Sequence, residues 1–217
     1  MSGTFNILAL DIAFGPASAC LLRRDGQVFF ADGSEDRPHS QTIMPMLGSL
    51  LDEAAIDWRE LHMLAAGVGP GSFTGLRIAA ATLAGINSSL NLPLIELSSL
   101  AISALQSEVT GPIHVIEDAR AGLAYYACYD GLREVRGDAC LAWLDIRSQE
   151  PARYTAHQPD DRLEGWGFAS PTLPRARAMA QLLADRSQRV GDTAGLPRVA
   201  QPAYLIPSQA ERHARND

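Results

Sequence analysis

The segment Gly69-Pro70-Gly71-Ser72-Phe73-Thr74-Gly75 constrains the fold of this chain more than any other stretch. It lies between an apolar run, His62 to Val68, that reads as a buried strand, and a stretch from about Gly75 to Leu90 that reads as a helix. Strand, glycine-rich turn and helix in that order make one unit of an α/β sheet. Glycines crowded before a helix leave backbone N–H groups bare, which suits an anion, and Arg77 in the first turn could assist. The competing role is that the glycines only let strand, turn and helix pack closely. The spacing is neither GxGxxG nor GxxxxGK[ST], so spacing alone tilts toward packing.

The rest of the chain reads as α/β in two halves. Phe5 to Asp11 is a strand ending on an acid, and Ala17 to Arg23 and Gln27 to Ala31 form a hairpin across Arg24-Asp25-Gly26. A helix is expected between His39 and Ala54, with Ile43, Leu47, Leu50 and Ala54 on one stripe and Met44 and Leu51 beside it. Pro45 predicts that this helix either begins near Met44 or kinks there. The Gly75 to Leu90 helix is rich in small residues, Ala79, Ala80, Ala81, Ala84 and Gly85, which permit close approach of another backbone. Leu92 to Leu97 reads as a strand, and Ser98-Ser99 as the cap of a helix over Leu100 to Gln106. Thr110-Gly111-Pro112 breaks the pattern and predicts two lobes, residues 1–108 and 109–217. In the second, Ile113 to Glu117 and Leu123 to Tyr129 read as strands around Asp118 and Gly122. Pro174 to Arg186 reads as a helix and Val199 to Ile206 as a last strand, while Asp145 to Pro174 carries no clear period.

Several classes of chemistry find no support. The five histidines include no HxxxH or HExxH pair, and Cys20, Cys128 and Cys140 show neither CxxC spacing nor a neighbouring base. Ser72 is not in a GxSxG elbow. Basic residues number 18 against 25 acidic ones, and a net charge of −7 opposes binding of a phosphate backbone by the chain alone. The opening residues carry no basic cluster followed by a long apolar run, so a cytoplasmic protein without a membrane span is expected. Asp11 could hold a cation or orient a water, or be an ordinary cap; Asp118 with Gly122 repeats the arrangement. Two such turns facing across a cleft would make a divided phosphate site, with Asp11, Gly69, Gly71, Ser72, Thr74, Asp118 and Gly122 as its residues. The His39–Ala54 helix carries Met44, Met46, Leu47, Leu50 and Leu51, more apolar surface than one covered face needs. Core packing and a protein interface are both open for it.

Ile7-Leu8-Ala9-Leu10-Asp11, His39-Ser40-Gln41 with Met44-Pro45-Met46, and Gly67 to Ile78 run in the order of a known family. Leu97-Ser98-Ser99-Leu100, Asp118-Ala119-Arg120 and Pro202-Ala203-Tyr204-Leu205 complete the match. Together they resemble the TsaB family, the B subunit of the bacterial threonylcarbamoyladenosine machinery. The resemblance implies an actin-like, sugar-kinase-type (ribonuclease H-like) fold of two lobes, each a mixed sheet flanked by helices. It implies a non-catalytic subunit, without cofactor or metal, that supports a threonylcarbamoyltransferase of the same fold acting at adenosine 37 of tRNAs reading ANN codons. A small ATPase joins that complex, tRNA is met only through it, and a homodimer is expected in isolation. The partner contact would use His39, Gln41, Ile43, Met44, Met46, Leu47, Leu50 and Leu51 with Arg77, Ala80, Ala81 and Ala84. Ile12 stands where the family usually has Thr, which removes a phosphate-contacting hydroxyl. The alternative function is an active actin-like ATPase or a metallopeptidase-like hydrolase.

Overall fold

A computed structural model describes residues 5–33, 39–191 and 193–205, without the side chains of His39 and Ser40. Among these, two five-stranded mixed sheets form an α/β protein. In the first sheet the order is β3 (Val28–Asp32), β2 (Ser18–Leu22), β1 (Ile7–Asp11), β4 (Met63–Gly69), β5 (Leu94–Ser98). β2 is antiparallel to β1 and β3, whereas β1, β4 and β5 are parallel. This is the strand order and polarity of a ribonuclease H-like lobe, as an actin-like fold requires.

β1 has every side chain buried, and its alternation feeds two cores. Leu8 and Leu10 face α1 (His39–Glu53) and α2 (Phe73–Leu90), where Ile43, Leu47, Leu50, Ala79 and Leu83 pack. Ile7 and Ala9 face α3 (Ser99–Gln106) and α5 (Arg175–Arg189). That second core runs on to Ile113, Val115, Ala127 and Tyr129 of the other sheet, so α3 and α5 are sandwiched between the sheets. The second sheet has the order β10 (Gly167–Phe168), β9 (Arg153–Thr155), β6 (Pro112–Arg120), β7 (Leu123–Asp130), β8 (Arg133–Ala142). Its other face buries Ile116, Tyr126 and Tyr154 with Trp143 and Ile146 of α4 (Trp143–Arg147).

Four expected interface residues are corrected here. Ile43, Leu47, Leu50 and Leu51 are buried in the protein's own core, Leu47 with 0% exposure. Burial of this stripe against the sheet also carries α1 through Pro45, which is exposed within the helix rather than at its start. Burying each large apolar side chain is worth about 1.5–3 kcal/mol, enough for several to offset a proline penalty of about 3 kcal/mol. The surface of α1 carries Gln41 and Met44, the latter 49% exposed, with Met46 half-buried. On α2, Arg77 and Ala81 are exposed and Ala80 and Ala84 half-buried. The side chain of His39 lies outside the described residues.

Residues 109–217 do not all stay with the second sheet. Helix α5 packs on β2 and β3, and residues 197–203 fold back onto the first lobe. The expected last strand is instead an extended strap. Its bonds run to single points: Pro197 O accepts from Leu94 N, Arg198 O from Asn87 Nδ2, Gln201 N donates to Glu96 Oε1, and Ala203 N to Val68 O. Among the described residues no helix is long and apolar enough to cross a membrane.

Candidate functional site

The glycine-rich turn is shaped by what lies behind it. A Cβ on Gly67 would be built into the Asp11 carboxylate, one on Gly75 into the Ile12 carbonyl, and one on Gly71 into Ala13. Glycine is therefore the residue that lets the β4–α2 connection press against the end of β1. The N–H groups that might have cradled an anion are partly spent inside the protein. Gly69 N donates to Ser99 Oγ at 3.1 Å, Ser72 N to Ala13 O at 2.9 Å and Gly75 N to the capping Ser72 Oγ at 3.2 Å.

Asp11 occupies the end of β1 as expected, but it does not face the cleft. It is fully buried, and its Oδ2 takes the Arg175 Nε at 2.6 Å while its Oδ1 takes the Ser99 hydroxyl at 2.7 Å. Arg175, 8% exposed, also donates to Ser103 Oγ, Gln106 Oε1 and Ser99 O. The acid expected to serve a phosphate is thus a pin holding α5 and α3 to β1. Gly69 is buried behind the turn, and Gly122 lies in an exposed hairpin turn whose carbonyl accepts from Trp143 N. None of these three lines the cleft.

Gly71, Ser72, Thr74 and Asp118 do come together. They line a cavity of about 680 Å³, with the β4–α2 turn and residues 13–15 on one wall and residues 116–120 and 157–160 on the other. Ala203 and Tyr204 of the strap complete it. Tyr204 packs at a tilt against Phe73 with ring centres 5.0 Å apart, and the Arg77 guanidinium lies 3.9 Å over Phe73. Asp118 is held at the rim, its Oδ1 accepting from Trp143 Nε1 at 3.1 Å and Arg162 Nη2 at 2.9 Å. Arg162 also pairs with Asp160, whose carboxyl it holds below the usual range.

Glu117 was not singled out by sequence, yet its carboxyl is strongly perturbed in the cleft. It is 7% exposed, and burial pushes its carboxyl up to about 7, against the opposing pull of the His157 N–H and the Arg175 charge. Its Oε1 accepts from His157 N at 2.7 Å. The signal lay in the alternation Ile113, Val115, Glu117, which puts a carboxylate at an inward-facing position of a buried strand.

A family model described as "TsaD: tRNA N6-adenosine threonylcarbamoyltransferase" matches residues 34–152, just over half of the chain. An uncharacterized protein of Mycobacterium tuberculosis is 32% identical over 157 residues, covering 71% of this chain and 72% of the relative. The tRNA threonylcarbamoyladenosine biosynthesis protein TsaB of Haemophilus influenzae is 31% identical, covering 66% of this chain and 62% of its own. The solved structure of YeaZ from Pseudomonas aeruginosa superposes with a TM-score of 0.74 at 25% identity, over 94% of this chain and 99% of that one. On this sequence and structural likeness, the chain belongs to the TsaB family.

Proposed function

We propose that this chain acts in tRNA threonylcarbamoyladenosine biosynthesis as a non-catalytic subunit that binds and positions a threonylcarbamoyltransferase of its own fold. Membership of the TsaB family supports the pathway. The observation that supports the non-catalytic role is the Asp11–Arg175 pair: an acid that must hold a cation or orient a water has to be free to do so. Here both carboxylate oxygens are engaged by protein groups in a closed interior.

The partner surface in this reading is the exposed side of α1 and α2, through Gln41, Met44, Met46, Arg77, Ala80, Ala81 and Ala84. Met44 offers an adaptable apolar contact, and the alanines allow close helix approach. The same surface would pair two copies of the chain when the transferase is absent. A small ATPase would join the complex, and tRNA would be met through the complex in the cytoplasm. Co-purification with the transferase subunit tests the surface. Met44→Asp with Ala81→Arg should abolish capture while the thermal transition stays within a few degrees of wild type; undiminished capture would remove the proposed interface.

A further inference from the structure

Arg77 is an exposed side chain of α2, yet three contacts fix its guanidinium. It lies 3.9 Å from the Phe73 ring centre and 5.9 Å from that of Tyr204, and its Nε donates to the Tyr204 hydroxyl at 3.4 Å. Tyr204 comes from 127 positions further along the chain, delivered by the strap whose bonds run to Asn87, Leu94, Glu96 and Val68. Both rings line the cleft, but Arg77 does not. Among the described residues Arg23, Arg133, Arg162, Arg175 and Arg189 each pair with a carboxylate, whereas Arg77 meets none and its two Nη groups have no hydrogen-bond partner. A guanidinium held over aromatic rings keeps its charge and loses rotamer freedom, so little ordering remains to oppose a further bond. The open edge of its planar fork matches the two oxygens of a carboxylate. One and two turns along the same face of α2 lie Ala80, Ala81 and Ala84, so a chain that approaches those alanines also meets the fork.

We propose that Arg77 receives a carboxylate side chain of the threonylcarbamoyltransferase, and that Tyr204 is the positioning residue that aims it. This rests on the partner surface proposed above and gives that surface a charged requirement: the transferase presents an acid opposite the first turns of α2. Arginine and tyrosine anchors carry much of the binding energy where proteins meet. The strap thereby serves recognition, because by laying Tyr204 against Phe73 it turns a surface arginine into a fixed anchor. A tRNA phosphate would also suit a guanidinium, but the net charge of −7 opposes a phosphate backbone and α2 carries no second basic side chain.

The test is calorimetry of the full chain with the transferase subunit, with and without tRNA, on variants whose thermal transitions stay within a few degrees of wild type. Arg77→Met should weaken binding about 30-fold, and Arg77→Lys, which keeps the charge without the fork, about tenfold. Tyr204→Ala should weaken it about tenfold, and Tyr204→Phe, which keeps the ring, less than about threefold. In the Arg77→Met background Tyr204→Ala should add nothing, since Tyr204 acts through the guanidinium. Raising ionic strength from about 0.1 M to about 1 M should weaken wild type at least about threefold more than Arg77→Met. Arg77→Glu should not bind, and changing one surface Asp or Glu of the transferase to Arg should restore it. Wild-type binding by Arg77→Met, while Met44→Asp with Ala81→Arg fails to bind, would overturn the carboxylate site and leave the partner surface standing. Undiminished binding by all of these variants would remove the surface and the site together. Additive losses at Arg77 and Tyr204, a loss at Arg77 seen only with tRNA present, or no restoring charge reversal would each overturn the assignment.

Discussion

Removing the Asp11 carboxylate should cost the protein stability rather than activity. Asp11→Ala deletes the acceptor of the 2.6 Å bond from Arg175 Nε and of the 2.7 Å bond from Ser99 Oγ. Arg175 keeps its bonds to Ser103, Gln106 and Ser99 O, but its charge, 8% exposed, loses the carboxylate in contact with it. Breaking a buried pair by removing one partner typically costs about 3–5 kcal/mol, because the remaining charge stays desolvated. For a chain of this size that is a loss of roughly 6–20 °C in midpoint temperature. Urea unfolding of wild type, Asp11→Ala, Arg175→Met and the double variant measures it. The double variant should be less damaged than the sum of the singles by about 2 kcal/mol, since neither charge is then stranded. A loss below about 1 kcal/mol for Asp11→Ala, together with loss of an ATP hydrolysis seen in wild type, would refute the structural role and restore the acid as a catalytic one.

Three further outcomes follow from the same geometry. Leu47→Asp should unfold the chain, costing at least about 4 kcal/mol by circular dichroism and urea titration, because that side chain is wholly inside. Gly75→Ala should destabilise by about 3 kcal/mol, since its Cβ meets the Ile12 carbonyl. Gly85→Ala, exposed on α2 with open space around it, should stabilise by about 0.5–1 kcal/mol; equal effects at the two glycines would refute the close-approach argument. Glu117 should make stability fall as pH rises: its folded carboxyl sits near 7, above the 4.5 of the unfolded chain, so its contribution is full below 4.5 and lost through 7. Between pH 5 and pH 8 wild type should therefore lose roughly 2–3 kcal/mol relative to Glu117→Gln; parallel stability curves for the two would contradict the buried carboxyl.

What the sequence disclosed follows how local the governing physics is. The hairpin at Asp25-Gly26, the Ser98 cap of α3 and the helix that follows the glycine-rich turn are set by neighbours in the chain, and all were legible. Strand β8 was not: it is an edge strand whose first residues, Arg133 to Arg136, are all exposed, with charged residues on both faces and the apolar Val135 outside as well, so no alternation marks it. β9 and β10, three and two residues long, are too short to show a period. The strap from Pro197 onward has the apolar content of a strand, but two of its bonds, at Arg198 O and Gln201 N, go to the Asn87 and Glu96 side chains, which no local pattern reports. At the site, the position of Asp11 was readable and its fate was not, because the partner that neutralises it stands 164 residues away. Of the two roles open for the apolar excess of α1, core packing takes Leu47, Leu50 and Leu51 and leaves Met44 outside.

One reconstitution distinguishes a role for the cleft from a role for the surface. The chain is combined with a threonylcarbamoyltransferase subunit, the small ATPase, a threonylcarbamoyl donor and tRNA, and the modified nucleoside is quantified by mass spectrometry. Ser72→Ala with Thr74→Val and Asp118→Asn, which strips polar groups from the cleft, should leave modification near the wild-type level, while Met44→Asp with Ala81→Arg should abolish it. A cleft variant that still binds the transferase but loses modification would contradict the non-catalytic role directly.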